Sequence, residues 1–221
     1  RIALSRNVAF VSLAPARFVT PLSRAASFDP KKLKIWAEER LASYNFVGAV
    51  DLALYINLPA NTASRAPSVA WHVHLLVWDF DQGKLQRVLD QINDEERSFV
   101  PGRPTAHMRL LHPRAIKGRA AYMMKAPLSE YMVYPRKEAE GELGSDDSGV
   151  AQQRHMEQRK RPLRPGNAIK LCHVLSGRTL PSLMVSGGAG SRVWRTALTK
   201  AKSDIRRSDE RKQRRLDRLF N

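Results

Sequence analysis

The sequence predicts an α+β fold: an antiparallel β-sheet with flanking helices, followed by a small, basic, helical C-terminal extension. Three observations predict it. Short runs rich in Val, Leu and Tyr are bounded by turn residues, and stretches with apolar residues three and four apart alternate with them. After residue 135 a polar segment rich in Gly and acidic residues separates these elements from a Lys- and Arg-rich tail. A chain of 221 residues is long enough to bury a core as one domain with a small extension.

Residues 7–13 form the first expected strand, ended by Pro15. Asp29 then caps a helix with Pro30 in its first turn, and Leu33, Trp36, Ala37 and Leu41 follow at helical spacing. Segment 46–57 is a second strand, a turn is expected over 61–67, and 71–78 is a third strand pairing with it as a hairpin. In 83–97, Leu85, Val88, Leu89 and Ile92 define an amphipathic helix. Residues 106–111 are a strand, 114–126 a helix that stops before Pro127, and 130–134 a last edge strand. The polar stretch 136–166 is expected to be a linker, after which 168–175 and 180–185 are short helices. The run Ser186-Gly187-Gly188-Ala189-Gly190 reads as a helix–helix turn, with Ser191 capping a longer basic helix. The chain thus divides into residues 1–135, a linker 136–166 and a helical extension 167–221.

Charge narrows the partners. The 38 Lys and Arg against 21 Asp and Glu leave +17, with a sequence pI of about 10.7. A polyanion, nucleic acid first, is the expected partner. The excess is spread along the chain: 18 basic and 11 acidic residues lie in 1–135, and 20 and 10 in 136–221. The single cysteine, Cys172, excludes an internal disulfide and reads as a small buried residue; the cytoplasm is the expected compartment. No apolar stretch is long enough to cross a bilayer, so no membrane partner is expected, and residues 1–11 lack the pattern of a secretory signal.

The run Trp71-His72-Val73-His74-Leu75-Leu76-Val77-Trp78 carries the first chemical signal. Side chains alternate across a strand, so His72 and His74 share a face and their imidazoles converge. Two histidines at this spacing can also be ordinary hydrogen-bonded residues. In the neighbouring strand Asp51 is the only acidic side chain, where an unpaired carboxylate would be costly to bury and a metal would resolve that cost; a solvated edge or an arginine partner would resolve it too. In the helix at 114–126, Arg119, Tyr122 and Lys125 recur at three-residue spacing and share a face. A tyrosine hydroxyl is a weak nucleophile at its ordinary pKa of about 10, and a neighbouring cation favours the reactive phenolate. The plainer reading is that Tyr122 packs like Met123 and Met124 while Lys125 is solvated.

An apolar strand at 8–13, His-x-His at 72–74 and Tyr-x-x-Lys at 122–125, in that order within a basic α+β chain, resembles the HUH endonucleases, and among them the rolling-circle replication initiators. The likeness covers roughly residues 5–135. It implies an HUH/RRM-like nuclease domain in which His72 and His74, with Asp51 as a third ligand, hold a divalent metal (Mg or Mn). It also implies that Tyr122 nicks single-stranded DNA at a replication origin, with Lys125 as its helper, becoming joined to the 5′ phosphate and leaving a free 3′ hydroxyl. The first motif matches only as an apolar strand, and one helix tyrosine is present where some initiators carry two. Arg119 and the tail residues Arg206, Arg207, Arg211, Lys212, Arg214 and Arg215 are the expected DNA contacts. No Gly-Lys-Ser/Thr phosphate loop occurs, so unwinding would fall to a host helicase. Two other readings stand beside this one: a single-tyrosine transposase of the same chemistry, and a basic nucleic-acid-binding module without catalysis. Trp36, Trp71 and Trp78 are candidates for base stacking, or for the core.

Overall fold

A computed structural model of the chain describes residues 7–57, 66–100, 102–127, 129–135 and 156–220. Most of the expected turn, 61–65, and most of the expected linker, 136–155, lie outside the described residues. The elements run β1 (Val8–Leu13), β2 (Val19–Pro21), α1 (Pro30–Arg40), β3 (Asn45–Ile56), β4 (Ser68–Trp78), α2 (Gln82–Glu95) and β5 (Ala106–Leu110). They continue with α3 (Pro113–Met123), β6 (Ser129–Pro135), β7 (Met156–Pro162), α4 (Pro165–Leu175), α5 (Leu180–Leu183), β8 (Met184–Gly187) and α6 (Ala189–Phe220). The architecture is α+β, with one eight-stranded, mostly antiparallel sheet in the order β5-β1-β4-β3-β6-β7, to which β2 adds beside β4 and β8 beside β3.

Local signals act as expected where they are strong. Asp29 accepts a hydrogen bond from the Lys31 amide at the start of α1, and Asp81 accepts one from the Lys84 amide at the start of α2. Alternation in β4 then divides the core between two faces. Val69, Trp71, Val73, Leu75 and Val77 meet Leu33 and Trp36 of α1, Leu85, Leu89 and Ile92 of α2, and Leu171 and Val174 of α4. On the opposite face Phe10, Ala49, Leu76 and Trp78 meet Ile116 and Met123 of α3 and the start of α6. At about 1.5–3 kcal/mol per large apolar side chain, these two layers supply most of the cohesion of the fold. His72 and His74 lie on the second face, beyond the part that α3 covers.

Several expectations need correction. α3 ends at Met123 rather than at 126, because Pro127 disfavours helical backbone at the residue before it. β6 is not an edge strand: it pairs in parallel with β3 and antiparallel with β7. Residues 156–162, expected as linker, form β7 even though Met-Glu-Gln-Arg-Lys-Arg-Pro has little apolar content. A charged strand suits the outer edge of a sheet, where it resists pairing with other chains. Helix α5 is a single turn, and the chain then enters β8, which pairs with Phe46, Val47, Gly48 and Ala49 of β3. The glycine-rich run is therefore a strand-to-helix junction, and Ser191 sits inside α6 instead of capping it. Gly188 has φ +54°, and a Cβ on Gly190 would come 1.7 Å from the Phe46 carbonyl oxygen, so both positions exclude side chains. Cys172 is exposed, since α4 turns Leu171 and Val174 inward. Trp36, Trp71 and Trp78 are buried at 6%, 1% and 5% exposure, which removes them as stacking platforms.

One buried carboxylate fastens the C-terminal elements to the sheet. Glu130 of β6 has no solvent exposure and receives Arg161 Nε at 2.6 Å, Arg164 Nε at 3.0 Å and Asn167 Nδ2 at 2.5 Å. Burial raises its pKa, but the hydrogen bonds from Asn167 and Arg161 and the charges of Arg161 and Arg164 outweigh this and hold it below the usual glutamate value. Replacing it, Glu130→Ala, is expected to cost about 2 kcal/mol in urea-induced unfolding. That is less than the roughly 3–5 kcal/mol of a wholly buried pair, because both arginines still reach water.

Candidate metal centre and its tyrosine

The pairing of β3 with β4 builds the site. Asp51 lies opposite His72 and Ala49 opposite His74, so the carboxylate and both imidazoles emerge on one face. The Nε2 atoms of His72 and His74 are 3.1 Å apart, and Asp51 Oδ2 lies 3.8 Å from each. The three side chains are 8–12% exposed.

Each candidate ligand is held from behind. His72 Nδ1 donates to the Ala70 carbonyl at 3.0 Å; a carbonyl only accepts, so the neutral ring carries its proton on Nδ1 and its lone pair on Nε2. His74 Nδ1 is 2.8 Å from the Ser12 hydroxyl, which can accept from Nδ1–H and so would leave Nε2 free to hold a metal. Phe10 stacks on the His74 ring with centroids 5.0 Å apart. Burial, reinforced by the neighbouring His72 and His107 rings and by the cations Lys125 and Arg119, pushes the His74 pKa down to about 2. His74 is therefore neutral at any physiological pH and has a lone pair to offer.

Asp51 occupies a gap in the sheet. Its strand pairs with β8 through Ala49 and with β6 from Leu54 onward, and among the described residues the intervening ones have no strand partner on that side. The Leu52 amide donates to Asp51 Oδ1 at 2.8 Å, so the side chain caps a backbone group that the gap leaves unpaired. Oδ2 accepts from Lys125 Nζ at 3.1 Å. The burial cost of this carboxylate is thus met by a lysine and an amide, and the partner is neither the arginine nor the solvated edge considered from the sequence.

Two imidazole nitrogens and one carboxylate oxygen, all within 4.8 Å of one another, can hold a metal ion and leave coordination positions open for substrate oxygens. This donor set fits a divalent cation without selecting one. The expected ligands Asp51, His72 and His74 are therefore brought together. Tyr122 reaches the same place from α3, its ring centroid 5.5 Å from that of His74, with Lys125 Nζ 4.1 Å and Arg119 Cζ 5.8 Å from the ring. Lys125 lies just past the end of α3, and this turn lets it bridge Tyr122 and Asp51. Arg206, Arg207, Arg211, Lys212, Arg214 and Arg215 are all exposed on α6, whose packing against the body runs through Ala189, Val193 and Trp194.

A cavity of about 550 Å³ opens from the two histidines and Tyr122 towards Phe99, Arg103, Tyr131 and Gln158. Ser12 stands out in the sequence as the one polar residue of an apolar strand, in phase with Phe10, yet nothing there ties it to His74. Tyr131 and Gln158 carry no such signal, because their places follow from the pairing of β6 with β7. Among the described residues no helix is long and apolar enough to cross a membrane.

Adding Mn²⁺ or Zn²⁺ at about 100 times its dissociation constant is expected to stabilise the protein by about 2.7 kcal/mol. Thermal unfolding with and without ion measures this, and His74→Gln should abolish the gain. The buried neutral His74 also sets a pH dependence. Its folded pKa lies below that of the unfolded chain, so the unfolded state takes up the extra proton and stability falls as pH drops below about 6.5. Urea titrations between about pH 7 and 5 should show a shallower slope in His74→Gln than in the wild type. The chain matches no protein-family model, no curated protein and no solved structure.

Proposed function

We propose that the protein is a metal-dependent nickase and strand transferase for single-stranded DNA that initiates rolling-circle replication of a plasmid or phage. The observation that carries this reading is the meeting of a helix-borne tyrosine with a two-histidine, one-carboxylate cluster on a sheet, the rings of Tyr122 and His74 lying 5.5 Å apart. A surface with +17 net charge favours a polyanionic substrate.

The Tyr122 oxygen attacks the scissile phosphorus and its proton passes to solvent. A tyrosine–phosphorus bond forms while the bond from phosphorus to the 3′ oxygen breaks, and that oxygen takes a proton to leave as a free 3′ hydroxyl. Attack by a 3′ hydroxyl on the phosphotyrosine runs the same step backwards and joins strands. Lys125 and Arg119 sit beside the tyrosine ring and offer positive charge to the phosphate. A divalent ion on Asp51, His72 and His74 would supply Lewis-acid polarisation of that phosphate. The cavity beyond the histidines, with Tyr131 and Phe99 in its wall, has the aromatic character that unstacked bases use. The basic face of α6 would track the DNA backbone at a distance from the chemistry.

Incubation with single-stranded oligonucleotides of candidate origin sequence and Mn²⁺ should yield a covalent protein–DNA adduct, resolved on a denaturing gel. The adduct should vanish in Tyr122→Phe and with chelator. If it persists in Tyr122→Phe, the nucleophile is a different residue, with Tyr131 the next to test. If DNA binds and no adduct forms under any divalent ion, the protein is a binding module. Changing Arg211, Lys212, Arg214 and Arg215 together to Gln should weaken single-strand binding and flatten its salt dependence. The log–log slope should fall by roughly 0.7 for each phosphate that the variant no longer neutralises, as read by fluorescence anisotropy.

A further inference from the structure

We infer that Lys125 is an exchangeable counter-ion for Asp51, occupying the carboxylate until a divalent cation takes its place and thereby releasing its ammonium to the substrate phosphate beside Tyr122. The inference rests on the metal-site reading above and adds a regulation to it: metal loading and phosphate binding are coupled through one lysine.

Oδ2 is the Asp51 oxygen that faces the histidines. Oδ1 is committed to the Leu52 amide at 2.8 Å, and Oδ2 takes the Lys125 ammonium at 3.1 Å while lying 3.8 Å from both His72 Nε2 and His74 Nε2. An ion ligated by the two imidazoles and Asp51 would therefore bond to the oxygen that Lys125 now holds. Two cations on one carboxylate oxygen in a mostly buried site repel each other strongly, because water screens them poorly there. The divalent ion carries twice the charge and can coordinate both imidazole nitrogens and the carboxylate oxygen at once.

Lysine suits this exchange. Its ammonium is a point charge on a flexible four-carbon stem, and its side chain is 33% exposed where that of Asp51 is 8% exposed, so it approaches from the solvent side and has room to withdraw. Its position beyond the last turn of α3 leaves the backbone of the helix undisturbed by that movement. Nζ also stands 4.1 Å from the centroid of the Tyr122 ring, beside whose hydroxyl the scissile phosphate of the proposed reaction would lie. Metal binding thus transfers a positive charge from a ligand of the ion to the reacting group. Because linkage is reciprocal, bound phosphate would in turn tighten the metal.

The alternative role for Lys125 is that of a fixed partner which orients Asp51 and stays on it when the ion binds, and the two roles predict opposite signs. Titration calorimetry of Mn²⁺ into the full chain without DNA distinguishes them. Under exchange, Lys125→Met removes the competitor and should tighten Mn²⁺ binding about tenfold, within the roughly 5–150-fold range of couplings between linked sites. Lys125→Arg, whose fork grips a carboxylate more firmly, should bind Mn²⁺ no better than the wild type. A second measurement needs no variant: the side-chain ammonium resonance of Lys125 in the wild-type protein should shift when Mg²⁺ saturates the site. Unchanged or weaker Mn²⁺ affinity in Lys125→Met, or an ammonium signal indifferent to Mg²⁺ that binds, overturns the exchange and leaves the metal site standing. A wild-type protein that binds no divalent ion overturns the metal site and the exchange with it.

Discussion

The register between β3 and β4 is the constraint on which the site depends. Side chains alternate with a period of two, so the pairing of Asp51 with His72 and of Ala49 with His74 places all three donors on one face, while Val50, Leu52, Val73 and Leu75 enter the core on the other. A slip of one residue would send the carboxylate and the histidines to opposite sides of the sheet and bury polar groups among leucines. The apolar face thus enforces the geometry of the polar one. The same core that stabilises the chain aligns the donors, and α3 is laid across the adjoining part of that face by Ile116 and Met123, which brings Tyr122 to the edge of the cluster.

Two buried carboxylates illustrate how differently one chemical group is used. Glu130 is enclosed by two arginines and an asparagine, which satisfy both its oxygens and clamp β7 and the start of α4 to the sheet. Its partners lie close to one another along the chain, between Arg161 and Asn167, so the cluster serves cohesion. Asp51 is held more loosely, by its neighbour's amide and by a lysine from the solvent side. Its second oxygen lies 3.8 Å from both imidazoles, whose Nε2 atoms hydrogen-bond to each other. A saturated carboxylate is structural, whereas one whose charge is met by a partly exposed lysine beside two imidazoles has an oxygen that could serve a ligand.

The basic C-terminal helix stands apart from this centre. Its first turns pack through Val193 and Trp194, with Gly190 seated against the Phe46 backbone, and the 32 residues of α6 span about 48 Å at the usual rise per residue. Arg206, Arg207 and Lys212 lie 3.2–3.9 Å from acidic residues one turn away, pairs worth little in water that leave their donors available to an external polyanion. Packing of its first turns on the sheet sets the direction in which the charged face extends.

Much of the site was legible in the residues themselves. His72 and His74 share a face because strand periodicity is local, Asp51 stood out because a lone carboxylate in an apolar strand needs a partner, and the caps of α1 and α2 are set by interactions within one helical turn. The strand β7 was not legible: its mostly charged and polar residues carry no periodic signal, and only pairing with β6 and the reach of Arg161 to Glu130 make an extended conformation favourable there. The glycine-rich run misled for the same reason, since its need for bare backbone comes from Asn45 and Phe46, far away along the chain. Nor did anything in the sequence show Ser12 behind His74, or Lys125 on Asp51 instead of free beside Tyr122. Spacing along the chain determined which residues share a face, a matter of backbone geometry alone. Which of them touch was decided by long-range strand pairing and helix packing, because a hydrogen bond or a coordination site needs atoms placed within a few tenths of an ångström, and only the assembled core supplies that.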